Sequence, residues 1–330
     1  MTFSAFFTKA AAFLLSVIMT LVPYAGFEMP TLNTKYDDCL FNMEMVSDVH
    51  IEADYPFRTG FLKQALRSFA SSKVKVNAVV SCGDLTNYAD EPSLAKYYKT
   101  IEEYSPCPVI TVAGNHDIGH AGDRNKTSIS REEALQNVIK YYNDYSGRDL
   151  DVNYYATDID GYRFIVLGDE VIDGGKWDGI TMSEAQLEFL DTQLSQSAGR
   201  GKPVFVCCHW PIENMNGENT IWQGSGIERS IYDIPAILEK YENVFYISGH
   251  MHGGVRCVAV ADMFNIPMAE CVNGVTYISL PTFGIINMFG IPVSGTGAQL
   301  EVYSDKVVFR PKNYLTGKWY TNAAVEFSIK

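Results

Sequence analysis

Five of the six histidines in this 330-residue chain lie in short polar segments that directly follow apolar, β-rich runs. The segments are Asp48-Val49-His50, Cys82-Gly83-Asp84, Gly114-Asn115-His116-Asp117, Cys208-His209 and Gly249-His250-Met251-His252. Carboxylate oxygen and imidazole nitrogen together suit zinc, manganese or iron, and a donor set without thiolate argues against a structural zinc knot. Asp48, His50, Asp84, Asn115, His209, His250 and His252 are too many ligands for one tetrahedral ion. Two ions about 3.5–4 Å apart, bridged by one carboxylate, would use them all. Taken singly, Asp-x-His arises by chance, a histidine after a strand is more often packed or capping, and Gly-Asp is often a turn. Their joint occurrence, each at the end of a strand-like run, is what points to a site.

The runs that must position these residues are Leu40–Ser47, Val76–Ser81, Pro108–Ala113, Tyr162–Gly168, Pro203–Cys208, Val244–Ser248 and Val275–Leu280. They alternate little between apolar and polar, which predicts strands covered on both faces. Between them, apolar residues recur at helical spacing: Leu62, Leu66 and Phe69; Leu94, Tyr98 and Ile101; Leu135, Val138, Ile139 and Tyr142. Ser130 with Glu133 and Ser183 with Gln186 fit capping boxes, and Asp233 with Pro235 opens a further helix. The pattern predicts an α/β fold, in which the carboxyl ends of strands form the ligand crevice. Asp158-Ile159-Asp160-Gly161 marks a β-hairpin, and a second hairpin turns at Ser304-Asp305.

Composition bounds the partners. A net charge of −13 with no cluster of Lys and Arg disfavours long nucleic acid and leaves a small phosphorylated substrate as the easier fit. No protein partner is predicted. Lys9 followed by the uncharged stretch from Ala10 to Phe27 reads as a secretory leader over residues 1–26, with an uncleaved membrane anchor as the alternative. Either places the protein outside the cytoplasm, secreted or tethered. Residues 36–312 form one catalytic domain, and residues 313–330 a C-terminal extension. The seven cysteines cannot all pair, and Cys257 with Cys271 is the pair left open for a bridge.

The full series, Asp48-x-His50, Gly83-Asp84, Gly114-Asn115-His116-Asp117, His209 and Gly249-His250-x-His252, resembles the signature of the calcineurin-like metallophosphoesterases over roughly residues 40 to 285. The resemblance implies a four-layer αββα sandwich with two mixed β-sheets and a dinuclear centre at one sheet edge. It places Asp48, His50 and His252 on one ion, Asn115, His209 and His250 on the other, and Asp84 between them. The ions, manganese, iron or zinc, would lower the pKa of a bridging water so that hydroxide attacks phosphorus in line. His116 would protonate the leaving alkoxide or stabilise its charge, and Asp117 would orient His116 and keep it protonated. The related purple acid phosphatases carry a tyrosine ligand after the Gly-Asp block. Asn87-Tyr88 is nearby, but His50 is retained, so the plain family pattern fits better.

Lesser candidates are His120, Arg124, Lys126 and Arg229 as substrate contacts, and Trp222 as a platform for a nucleobase, each weighed against an ordinary solvated or packed residue. The expected activity is hydrolysis of a phosphate monoester or diester, with small or nucleotide-like substrates favoured. A nuclease of the same fold lacks its basic groove. A non-catalytic metal-binding scaffold is the remaining alternative.

Overall fold

In β1 (Phe41–Val46) every residue is buried, so both faces of the strand must be covered. Phe41, Met43 and Met45 point into a core shared with Phe164, Phe205 and Phe245, while Val46 joins Leu62, Leu66 and Phe69 on the other side. One strand therefore touches a second sheet on one face and helices on the other, which is the origin of a four-layer αββα sandwich. The computed structural model describes residues 36–118, 129–172, 178–253, 268–284, 294–320 and 323–330.

The first sheet contains β1, β2 (Ala78–Cys82), β3 (Val109–Val112), β10 (Thr296–Val302), β11 (Lys306–Asn313), β12 (Lys318–Trp319) and β13 (Val325–Ser328), in the order β12-β11-β10-β1-β2-β3 with β13 also on β11. Its β1, β2 and β3 are parallel, and β10 runs antiparallel to β1. The second sheet orders β4 (Tyr155–Ile159), β5 (Tyr162–Val166), β6 (Val204–Cys207), β7 (Val244–Ser248), β9 (Val275–Ser279) and β8 (Ala269–Val272). Here β5, β6, β7 and β9 are parallel, and β4 and β8 are antiparallel edges. Both sheets are mixed, as the resemblance implied.

Helices α1 (Pro56–Ala70) and α2 (Glu91–Tyr104) cover the first sheet through Leu66, Phe69, Leu94, Tyr97 and Ile101. Helix α4 (Arg131–Ser146) follows the short α3 (Asn115–Ile118) and adds Val138 to the same layer. On the other side α5 (Glu184–Ser197) and α7 (Ile234–Leu238), separated by the one-turn α6 (Glu218–Ile221), cover the second sheet with Leu190, Leu194, Ile234 and Leu238. Ser130 and Ser183 cap α4 and α5 by accepting from the amides of Glu133 and Gln186. The Gln186 side chain does not close the predicted box. It exchanges both hydrogen bonds with the Gly168 backbone instead, and Glu170 takes the Ser183 amide.

All seven predicted strands are present. Both hairpins also form, β4–β5 around Asp160-Gly161 and β10–β11 around Ser304-Asp305. Edge strands β8, β12 and β13 are additional to the prediction; they are short, and the first and last carry a glutamate. Within residues 313–330, β12 and β13 extend the first sheet, and the chain ends with Lys330 exchanging two hydrogen bonds with Asn243. The leader expected over residues 1–26 lies outside the described residues, among which no helix is long and apolar enough to cross a membrane. Cys271 is exposed and unbridged, and Cys257 is outside the described residues.

Candidate metal centre

The candidate ligands lie at the carboxyl ends of five parallel strands, three in one sheet and two in the other. Asp48 and His50 follow β1, Asp84 follows β2, Asn115 follows β3, His209 follows β6, and His250 and His252 follow β7. Packing the sheets face to face brings the two groups together at one edge. Loop backbones turn sharply there. Asp48, His50, Asp84, His250 and His252 all have φ between 47° and 67°, the left-handed region that side chains ordinarily avoid. Each such residue costs about 1–3 kcal/mol and persists where the surroundings over-determine it, as at functional sites. Two glycines allow the close approach. A Cβ on Gly83 would overlap the His209 ring, and one on Gly114 would overlap the Asp84 carboxylate.

Asp48, His50, Asp84 and His252 each present a donor atom within 4.8 Å of the others. His50 Nε2 lies 3.2 Å from His252 Nε2 and 3.5 Å from Asp84 Oδ2, and His252 Nε2 is 3.1 Å from Asp48 Oδ1. The other Asp84 oxygen, Oδ1, is 3.3 Å from His209 Nε2 and accepts the His116 amide at 2.9 Å. One Asp84 carboxylate thus faces two sets of donors, its Oδ2 toward His50 and its Oδ1 toward His209. The His250 ring stands 5.1 Å from that of His209. Asn115 lies between Gly114, which abuts Asp84, and His116, whose amide binds it.

The donor atoms also lack ordinary partners. Both oxygens of Asp48, Asn115 Oδ1, His209 Nε2 and His250 Nε2 are buried and make no hydrogen bond. Buried polar atoms are almost always satisfied, and leaving one bare costs about 1–3 kcal/mol. Five such atoms gathered at one sheet edge fit a cation centre. His209 Nδ1 donates to the Cys82 carbonyl at 2.9 Å, which turns Nε2 toward Asp84.

Burial holds the imidazoles of His50 and His250 well below their ordinary range, in the neutral form that ligates. Burial also opposes charge on His209, but the Asp84 carboxylate outweighs it and the imidazole rises to about 9. Asp84 is held well below the carboxylate range: burial disfavours its charge, and the facing His209 and His116 more than offset that. The two aspartates make this edge of the sandwich attractive to positive charge. His252 is 16% exposed and His116 half-buried, so the cluster opens to solvent on their side.

The sequence model for calcineurin-like phosphoesterases matches residues 45–254, which contain every candidate ligand. The chain belongs to this family. Its fold is similar to that of solved structures: a dimetal phosphatase from Danio rerio superposes with a TM-score of 0.59 at 17% identity, covering 89% of this chain and 100% of that one. A purple acid phosphatase from yellow lupin seeds gives a TM-score of 0.56 at 14% identity, over 87% of this chain and 53% of that one. Among curated proteins none matches the chain.

Within this phosphoesterase centre two predicted roles change. Asp117 does not orient His116. Its carboxylate accepts from the amides of Leu85, Thr86 and Gly114 at 2.7–2.9 Å and from the Thr86 hydroxyl, so it stitches the loops after β2 and β3 together. His116 is oriented by the Asn87 carbonyl, 3.0 Å from its Nδ1. Asn87 in turn donates to Glu52, which also holds Arg58, and Arg58 donates to the His50 carbonyl. No sequence signal marks that chain of contacts, because it runs through backbone carbonyls. Trp222 stacks on the His250 ring, at 4.9 Å and 18°, in place of an open platform. Arg229 is exposed at 43% and lies 3.6 Å from Asp233, while His120, Arg124 and Lys126 fall outside the described residues.

Asp117→Ala strands three buried amides and is expected to lower stability by roughly 3–5 kcal/mol. Denaturant unfolding measures this. The conservative Asp117→Asn should leave the pH limb of turnover that reports His116 in place, since the two side chains do not meet; a displaced limb would restore the orienting role.

Proposed function

We propose that the chain hydrolyses a phosphate ester of a small molecule at this centre, with two ions of manganese, iron or zinc. The observation that carries the reading is Asp84, whose two oxygens face separate donor sets built from otherwise unsatisfied atoms. Asp48, His50 and His252 would hold one ion and Asn115, His209 and His250 the other, with Asp84 common to both. When bound, two such ions polarise the phosphoryl oxygens and make water a nucleophile near neutral pH. His116 stands edge-on to His50, with ring centroids 4.5 Å apart, at the open side of the cluster. Nδ1–H donates to the Asn87 carbonyl, which leaves Nε2 as the nitrogen that, with the ring protonated, would give its proton to the leaving oxygen. The net charge of −13, with no cluster of Lys and Arg in the sequence, favours a small ester over a polynucleotide. The apolar leader supports placement outside the cytoplasm.

Metal-stripped protein should be inactive toward p-nitrophenyl phosphate and bis-p-nitrophenyl phosphate, and regain turnover with Mn²⁺, Zn²⁺ or Fe²⁺. The faster ester assigns the monoesterase or diesterase class. Two bound ions per chain without turnover of either ester would instead support a non-catalytic scaffold.

A further inference from the structure

His209 is steered by a hydrogen bond to a backbone carbonyl, but His250 is not. The buried Nε2 of His250 makes no hydrogen bond among the described residues, and its backbone sits at φ 67°. What covers the imidazole is aromatic: Trp222 lies nearly parallel to it at 4.9 Å, and Trp210 is 6.1 Å away at 42°. Trp222 comes from a loop that leaves the centre after His209 and closes on itself. Ile212 bridges Ile227, and the Ile227 amide donates to the Pro211 carbonyl. Inside that loop Glu218 is 1% exposed and, among the described residues, pairs with no cation. Its Oε1 accepts from the amides of Gly224, Ser225 and Gly226, its Oε2 from that of Asn214, and its own carbonyl accepts the Trp222 amide. A buried carboxylate is costly to desolvate, and here it is used wholly to fix the loop on both sides of Trp222.

We propose that Glu218 and Trp222 form a clamp that fixes the His250 ring and so sets affinity for the second metal ion selectively over the first. The clamp supplies by packing what the Cys82 carbonyl supplies to His209 by hydrogen bonding. Glu218 and Trp222 are positioning residues, and the inference rests on the two-metal reading above.

The test is a Co²⁺ titration of metal-stripped full-length protein, followed by visible absorption. Wild type should bind two equivalents, and His250→Ala identifies the second. Trp222→Ala should bind the first unchanged and the second roughly 10- to 100-fold more weakly, the range for losing a partner that orients a ligand. Trp222→Phe, which keeps a flat ring, should restore most of the affinity, and Glu218→Gln should shift the second equivalent in the same direction as Trp222→Ala. Unchanged affinity for both equivalents in Trp222→Ala overturns the clamp and leaves the metal centre standing. Equal weakening of both, as general loosening would give, also overturns it. Wild type that binds a single ion overturns the two-metal reading and the clamp together.

Discussion

Asp84→Ala is expected to lower kcat/KM by roughly 10³-fold or more, because charge stabilisation by bound ions is worth several kcal/mol and each ~1.4 kcal/mol is tenfold. The reason is positional. Asp84 Oδ2 is 3.5 Å from His50 and Oδ1 is 3.3 Å from His209, and among the described residues no other carboxylate faces both donor sets so closely; Asp48 lies 4.0 Å from His209. Losing it should cost ion retention as well as rate. Metal content by mass spectrometry should fall below two ions per chain, while circular dichroism reports an intact fold. A variant that keeps two ions and near-normal turnover would remove Asp84 from its shared position.

His116→Gln is expected to separate chemistry from metal binding. General acid catalysis contributes about 10²–10⁴-fold, so kcat should drop within that range while both ions stay bound. His116 reaches the centre through its backbone amide on Asp84, which glutamine keeps, and its ring is held by the Asn87 carbonyl. The loss should depend on the leaving group. A p-nitrophenolate departs without much help, whereas an alkoxide needs its proton, so the variant should fall further on an alkyl phosphate than on the p-nitrophenyl ester. Equal losses on both esters would assign His116 to substrate binding or to charge stabilisation without proton transfer.

The two variants, with Asp117→Ala as the third, separate the parts of one loop system. On the proposed mechanism Asp84 would act on the ions and His116 on the leaving group, while Asp117 holds the loops that carry both. Only the last is a stability effect.

Much of this centre was legible in the amino-acid sequence because its ligand types are scarce. Five of six histidines end strands, and the glycines at positions 83 and 114 precede ligands at points of close backbone approach. Strands were legible because both faces of each are buried, and helix starts because Ser130 and Ser183 cap them. The same burial concealed which sheet each strand joins: β1 and β6 are both buried throughout, yet one carries Asp48 and the other His209 on opposite sheets. Local spacing also could not place Asp117, since its partners Leu85 and Thr86 lie about thirty residues away. Nor could it assign Trp222 to His250, or reveal Glu218, whose partners are backbone amides of its own loop. Residue type and order thus determined which atoms can ligate. Tertiary packing decided what holds them, because the holding groups are mostly backbone carbonyls and amides that every residue carries and no sequence pattern distinguishes.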